Sequence, residues 1–353
     1  MKYNFCTLFD SYYLTRGLTL YYSLEATCET FHIYIYSFDS TSNQILNSLH
    51  LKNATIISLS DFETSDLLSV KSSRTIAEYC WTCTASTIWH SIKRFKLDHC
   101  VYLDADMYFF SSPKPIFDEI GENSVGITAH NFSPKLKTSV VYGKYCVQFV
   151  YFKNNPSGLE VLDWWRKSCI DWCYARMEDG KYGDQKYLDY FSEKFASVHE
   201  ITHLGAGVAP WNIDNFAVLN DNGILKILPK NRQFGLQTII FYHFQGLKFE
   251  CRENKVMAEA SFLKIDKQSL QYLYEPYIKN LIKVKNSTLD SNDIFEPIFF
   301  YRKYKNIFGQ VFKSFFKQFE FIQRVYFILK KKRYSQPKGI GANININSEF
   351  TGK

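Results

Sequence analysis

Nowhere in the chain do about 18 apolar residues follow one another, so no transmembrane helix is expected. The start, Met1-Lys2-Tyr3-Asn4-Phe5-Cys6-Thr7-Leu8, lacks the charged stretch and long apolar core of a secretory leader and reads as an opening strand. Nine cysteines are odd in number and scattered, without disulfide-framework spacing, which fits a reducing compartment. The one C-x-x-C is Cys80-Trp81-Thr82-Cys83. A zinc site would need a second pair, for which only Cys169 and Cys173 qualify, so buried free thiols are the expectation. No G-x-G-x-x-G follows the first strand, which excludes the usual dinucleotide fingerprint. What the chain does have is length and aromatics. Its 353 residues suffice for one large α/β domain with an appendage, or for two domains, and 18% of them are Phe, Trp or Tyr.

Residues 1–120 alternate between strand-like and helix-like patterns. A strand at Asn4–Phe9 is followed by a helical periodicity over Leu14–Leu24, then strands at Phe31–Tyr36 and Ala54–Leu59. A helix over Ala77–Phe95 leads into the short apolar run Cys100–Leu103. This repeat predicts a parallel sheet of Rossmann type. Further on, Tyr145–Phe152 reads as a strand and Leu159–Tyr174 as a helix rich in tryptophan. Gly183-Asp184-Gln185 opens another helix. The Gly/Pro-punctuated stretch His203–Asn212 reads as a loop, and Ile239–Phe244 as a strand ending in Gln245-Gly246.

After Pro297 the character changes. Between Ile298 and Tyr334 ten Lys and Arg residues face the single acid Glu320, so this segment carries +9 and the rest of the chain −2. On a helical wheel Phe308, Val311, Phe312, Phe315, Phe316, Phe319, Ile322 and Tyr326 share one face and Lys313, Lys317 and Arg324 the other. The pattern describes either a helix packed on the catalytic domain or one lying on an anionic membrane surface, and residues 299–334 are expected to take the second role. Nucleic acid is not expected, because the Phe-rich face favours lipid or protein. The Gly/Asn/Ser-rich tail 335–353 is expected to be disordered. The expected division is therefore a catalytic domain over 1–255, a helical extension over 256–334 and the tail.

The chemistry concentrates at Asp104-Ala105-Asp106, where the Cys100–Leu103 strand ends. Residues two apart on extended backbone point to the same side, so the carboxylates are expected to converge. Two hard oxygen donors suit Mg²⁺ or Mn²⁺ and leave room for diphosphate oxygens. The carboxyl ends of parallel strands are also where such folds bind ligands.

Three separated pieces, Tyr102-Leu103-Asp104-Ala105-Asp106, Gly183-Asp184-Gln185 and His243-Phe244-Gln245-Gly246, occur in that order. Over roughly residues 3–250 the chain resembles bacterial GT-A-fold glycosyltransferases of the family-8 kind, as a divergent member. The resemblance implies an α/β GT-A fold, with the basic-aromatic helical segment as a C-terminal appendage. It implies that Asp104, Asp106 and His243 bind Mn²⁺ (or Mg²⁺), and that a UDP-sugar is the donor. It further implies that Thr7, Asp10, Tyr12 and Tyr13 belong to the nucleotide-holding block, with Asp10 accepting from uracil or ribose and either tyrosine stacking on the base. Asp184 would bond sugar hydroxyls and Gln185 would sit near the anomeric carbon. An N-cap Asp with a polar neighbour is the structural alternative for that pair.

The chain departs from the family pattern in two places. Lys248 follows His243 by five residues rather than six and lacks the succeeding Pro-Trp, although it remains a candidate phosphate contact. The arginine before Asp-x-Asp is missing, with Arg74 a weak substitute. Pro210-Trp211 stands elsewhere and is a candidate for shaping the acceptor side.

These features together predict a hexosyltransferase that moves a sugar from a UDP-sugar to a hydroxyl of a glycan or lipid-linked acceptor in polysaccharide biosynthesis. Retention of anomeric configuration is expected, and the location is cytoplasmic, peripheral to the inner face of the membrane. The rivals are a sugar nucleotidyltransferase, which would be expected to show a Gly-rich loop within Thr7–Tyr13, and a non-catalytic nucleotide-sugar-binding scaffold.

Overall fold

Runs of β-branched and aromatic residues bounded by polar turns become the strands of a seven-stranded central sheet. In chain order the strands are β1 (Tyr3–Phe9), β2 (Phe31–Ser37), β3 (Ala54–Ser58), β4 (His99–Leu103), β5 (Met107–Phe109), β6 (Val125–Ala129), β7 (Tyr145–Lys153) and β8 (Val198–Ile201). They continue as β9 (Ala206–Val208), β10 (Phe216–Asp221), β11 (Ile224–Pro229), β12 (Gln237–Thr238), β13 (Phe241–His243), β14 (Leu247–Arg252), β15 (Lys255–Ala260) and β16 (Ala342–Ile346). The computed structural model describes residues 2–231, 234–252, 255–260, 265–288 and 342–346. The chain divides into two units, Met1–Gln245 with Asp266–Asn292, and Gly246–Ile265 with Asp293–Lys353.

In the first unit the central sheet runs β3-β2-β1-β4-β7-β6-β8. β1 is parallel to β2 and β4, β2 to β3, and β6 to β8, while β7 runs antiparallel to both β4 and β6. Two parallel groups joined through one reversed strand is the GT-A arrangement, so the fold class is the one the sequence resemblance implies. The parallel sheet expected for the repeat within residues 1–120 is present in β1 to β4, and the reversed strand β7 lies beyond that repeat. The chain between β6 and β7 holds the 3₁₀ segment Pro134–Tyr142 and no crossover helix, so the two strands pair antiparallel.

The helix Ile76–Phe95 starts at a capping box, with Thr75 Oγ1 accepting from Glu78 N at 3.3 Å and Glu78 Oε2 from Thr75 N at 2.9 Å. It packs beside the helix Pro156–Asp171, whose Trp165 is wholly buried and stacks on Phe152 of β7 at 6.1 Å. The helix Leu14–Thr27 lies so close to β1 that a Cβ on Gly17 would meet the Phe9 ring at 2.2 Å.

A second, small sheet, β5-β13-β9, branches from the carboxyl end of β4. The Gly/Pro-punctuated stretch expected to be a loop contributes β9 to it, although Gly207 keeps the φ of +134° that only glycine adopts readily. The helix Glu275–Thr288 and the turn before it clamp this sheet. Tyr274 and Tyr242 meet hydroxyl to hydroxyl at 2.9 Å, Tyr277 stacks on Phe244 at 3.8 Å, and Asn280 Nδ2 donates to Tyr108 Oη at 3.1 Å. Residues 266–292 thus belong to the first unit, and a catalytic-domain boundary at 255 is corrected accordingly.

The second unit holds the antiparallel sheet β14-β15-β16. Residues 256–260, expected in a helical extension, are therefore part of a strand. Residues 342–346, expected in a disordered tail, form β16, because Asn-Ile alternation gives a period-two β-branched pattern that pairs with β15. The amphipathic segment 299–334 and the remainder of the 335–353 tail lie outside the described residues. Among the described residues no helix is long and apolar enough to cross a membrane.

Candidate functional site

The Asp104–Asp106 segment is a turn, not extended backbone. β4 ends at Leu103, Asp104 N still bonds Gln148 O on β7 at 3.2 Å, and Met107 N closes back on Asp104 O at 3.2 Å. The expected convergence of the carboxylates therefore arises from chain reversal rather than from strand alternation. The turn releases β5 from the central sheet, and β5 recruits β13 with His243 opposite Met107. Phe244 N donates to Asp106 O at 2.9 Å, which fixes that register. This ladder carries His243 onto the acids across 137 residues of chain. Its Nε2 lies 3.0 Å from Asp106 Oδ1 and 3.7 Å from Asp104 Oδ2.

The other ring nitrogen, Nδ1, stands 3.0 Å from Gln148 Oε1, and Gln148 Nε2 donates to Thr128 Oγ1 at 3.4 Å. An amide held in that sense presents its oxygen to the imidazole, so Nδ1–H donates to Gln148, and Nε2, protonated as well in the charged ring, faces the carboxylates. His243 and Asp106 are almost fully buried, while Asp104 keeps 28% of its side chain open. Trp211 walls the site edge-on, 5.3 Å from His243 and 5.1 Å from His130.

Burial pushes Asp104 up to about 7, with the like charge of Asp106 adding and His243 opposing. Burial would raise Asp106 too, but His243 and Arg16 hold it below the usual carboxylate range. Burial disfavours a charged His243, yet the adjoining carboxylates keep its imidazole protonated well above the usual histidine range. Asp184 is driven up to about 8 by burial and by the charge of Asp104, against a hydrogen bond with Thr84. Asp184 occupies the N-cap position of the 3₁₀ segment Gln185–Tyr190 but makes no side-chain cap bond. Its carboxyl is turned to Thr84, within reach of the field of Asp104, so the pure N-cap alternative fails. Its backbone is anchored by Trp165 Nε1, which donates to Asp184 O at 2.9 Å.

Among the described residues no three His, Cys, Asp or Glu side chains are spread around a common point as a formed metal cage, and His243 bonds Asp106 directly. The donor set nevertheless fits Mn²⁺ or Mg²⁺: two hard carboxylates and an imidazole whose far nitrogen is already fixed by an amide oxygen.

The remaining expected residues divide. Asp10 follows β1 and accepts from Tyr12 N at 3.0 Å and Tyr13 N at 3.2 Å, holding the turn, while Asp39 accepts from Ser11 N at 2.8 Å. Burial raises the Asp10 carboxyl. Tyr12 and Tyr13 are both exposed, but the Arg16 guanidinium lies 4.7 Å over the Tyr13 ring. Thr7 sits inside β1 with no exposed surface and a hydroxyl without a partner among the described residues, so the open part of this block begins after Phe9. Gln185 Nε2 donates to Tyr142 O at 2.9 Å, which ties the 3₁₀ segment beside Gly143. Lys248 lies in β14 of the second unit, its backbone opposite Glu259, and its side chain is outside the described set. Arg74 is no substitute for the missing arginine. It is buried, with Nη2 donating to the Ile170 carbonyl at 2.6 Å at the end of Pro156–Asp171. The described cysteines are free thiols, and Cys80 and Cys83 join no metal group among the described residues.

Four residues at the site escaped sequence reasoning. Gln148 and Cys146 sit on β7, which read only as a core strand. Burial would raise the Cys146 thiol, but His130 and His243 bring it down to about 6. Arg16, buried in the first turn of Leu14–Thr27, carries no motif beyond following the Asp10–Tyr13 block.

No family model matches the chain. It is 30% identical over 284 residues to the uncharacterized protein YfnD of Bacillus subtilis (strain 168), covering 79% of this chain and 88% of that one. The uncharacterized protein YfnF of the same organism is 27% identical over 292 residues, covering 80% and 94%. Among solved structures, the galactosyltransferase LgtC with donor and acceptor sugar analogs superposes with TM-score 0.47 at 13% identity, over 82% of this chain and 98% of that one. Mouse xyloside xylosyltransferase 1 superposes with TM-score 0.43 at 10% identity, over 69% and 98%. Scores this low bear no weight beside the strand order and the site geometry.

Proposed function

For a chain that belongs to the family of Bacillus subtilis YfnD, we propose glycosyl transfer from a UDP-sugar to a hydroxyl of a glycan or lipid-linked acceptor. The observation that carries this reading is the β5–β13 pairing, which sets His243 Nε2 at 3.0 Å from Asp106 and 3.7 Å from Asp104 at the carboxyl end of β4. Asp104, Asp106 and His243 would hold Mn²⁺ or Mg²⁺, which when bound supplies Lewis-acid neutralisation of a diphosphate leaving group. Arg16, buried beside Asp106, adds fixed positive charge to the same region, the role for which Lys248 was the sequence candidate.

Tyr12, whose ring makes no aromatic or cation contact with the described residues, is the better of the two tyrosines for stacking on a base, since Arg16 covers Tyr13. Asp10 presents its carboxylate at the rim of the same turn. Asp184 faces the donor sugar as a hydrogen-bonding partner for its hydroxyls, and Gln185 holds the adjoining backbone. In the reaction the bond from the anomeric carbon to the diphosphate oxygen breaks as the acceptor oxygen bonds to that carbon on the same face. The leaving phosphate takes the acceptor proton, giving UDP and the retained glycoside. The sequence of 299–334 supports an acceptor at an anionic membrane surface.

The test is UDP release from a panel of UDP-sugars with Mn²⁺. Release from one sugar, lost with EDTA and reduced at least about a hundredfold in Asp106→Asn, is the expected outcome. No release with any sugar, together with no Mn²⁺-dependent UDP binding, would sink the reading and favour the non-catalytic scaffold.

A further inference from the structure

The helix Ile76–Phe95 turns one face toward Asp184. Cys80 and Thr84 are four residues apart and Trp81 and Thr84 three, so the three side chains share that face. Thr84 holds the Asp184 carboxyl by a hydrogen bond. Burial pushes the Cys80 thiol up to about 12, with the charge of Asp10 and, more weakly, that of Asp184 adding. Cys80 therefore lies within the fields of both the turn after β1 and the sugar-facing aspartate. The Trp81 ring runs alongside the residue before Asp184: a Cβ added to Gly183 would meet Trp81 Cε3 at 3.4 Å.

Trp81 is only partly buried, and its indole makes no ring stacking, cation contact or hydrogen bond with the described residues. A tryptophan left partly open beside an aspartate that bonds sugar hydroxyls offers a flat apolar face to the C–H groups of a pyranose ring. This wall carries no positive charge. No Lys or Arg lies between Thr75 and Thr84, and Arg16 stands with Asp106 and Tyr13. A sugar carboxylate placed here would lie near the Asp184 and Asp104 carboxyls with no cation to pair with, and an unpaired charge in such a site is costly.

Resting on the glycosyl-transfer reading above, we infer that Trp81 is the platform for the donor sugar. The pyranose stacks its C–H face on the indole while its hydroxyls bond Asp184, and the wall selects an uncharged hexose over a uronic acid.

Calorimetric titration of the full chain in Mn²⁺ with UDP, UDP-glucose, UDP-galactose, UDP-N-acetylglucosamine and UDP-glucuronate tests this. One of the three uncharged sugar nucleotides is expected to bind more tightly than UDP-glucuronate. Trp81→Leu, which keeps apolar bulk but no ring, should weaken that sugar nucleotide on the order of tenfold and leave UDP affinity as in the native chain. Trp81→Phe should keep most of the sugar-nucleotide affinity. The sugar nucleotide should also quench tryptophan fluorescence more than UDP does, and this difference should vanish in Trp81→Phe. If Trp81→Leu fails to bind even UDP, its fold is lost and the fluorescence comparison decides. The inference is overturned by sugar-nucleotide affinity unchanged in Trp81→Leu, by a fluorescence difference that survives in Trp81→Phe, or by tighter binding of UDP-glucuronate. Those outcomes leave UDP binding, and with it the reading of the site, intact. No Mn²⁺-dependent binding of UDP by the native chain overturns both.

Discussion

Single atoms decide what the acidic cluster can do. Gln148 is itself no ligand candidate, yet its amide oxygen, 3.0 Å from His243 Nδ1, fixes the ring orientation that turns Nε2 toward the carboxylates. Gln148→Leu should therefore weaken Mn²⁺ affinity by about 10–100-fold with the fold intact, as read by calorimetry alongside circular dichroism. Asp184 gives a prediction in pH. Its carboxyl is raised to about 8 against an ordinary value near 4, so the folded state holds the proton more tightly than the unfolded one. The resulting stability is full below about pH 4 and is lost as pH rises through about 8. In EDTA, Tm of the native chain should fall from pH 6 to pH 9 by more than that of Asp184→Asn, which has nothing to deprotonate. Parallel curves for the two proteins would show that Asp184 is already ionised at pH 6.

At the scale of elements, the turn after β4 matters more than the strand itself. A straight continuation would have kept residues 104–109 in the central sheet, and His243 would have had no ladder to join. The helix Leu14–Thr27 is set by another local device, Gly17 against the Phe9 ring at the end of β1. Alanine for glycine inside a helix ordinarily gains about 0.5–1 kcal/mol. Here the added Cβ would sit 2.2 Å from a ring that is 3% exposed, so the overpacking cost wins. Gly17→Ala should destabilise by about 1–3 kcal/mol in urea unfolding and disturb Arg16, one residue away. A neutral or stabilising result would mean that Phe9 moves aside freely.

For the whole molecule, a bound cation closes the link between site and stability. A ligand that binds only the folded state at a hundredfold over its Kd adds about 2.7 kcal/mol. Mn²⁺ should accordingly raise Tm of the native chain in a concentration-dependent way, and the rise should vanish in the double variant Asp104→Asn with Asp106→Asn. An equal rise in that variant would place the cation elsewhere. Charge is also unevenly distributed: the +9 of residues 298–334 outweighs a chain that is otherwise slightly acidic. The formal positive charge is therefore concentrated in that segment and not spread over the molecule at large.

Periodicity and local motif were enough to read β1 to β4, β7 and the helix Ile76–Phe95, because each signal is contained within a few residues, whereas Asp104, Asp106 and His243 came together as one set only through the resemblance carried by three separated pieces of sequence. Asp184 was legible as a site residue only in company with them. The reversal of β7, the turn that aims the two acids, the return of residues 266–292 to the first unit and the arrival of Arg16, Cys146, His130 and Gln148 at the site were not. Each of these depends on which strands pair and which faces pack, and pairing is set by contacts between residues far apart in the chain. Sequence by itself determined the chemistry available, namely two carboxylates, an imidazole and a protonatable aspartate. Tertiary structure alone decided their distances, their protonation and their neighbours, because burial and the electric field of a site exist only once the chain has closed around it.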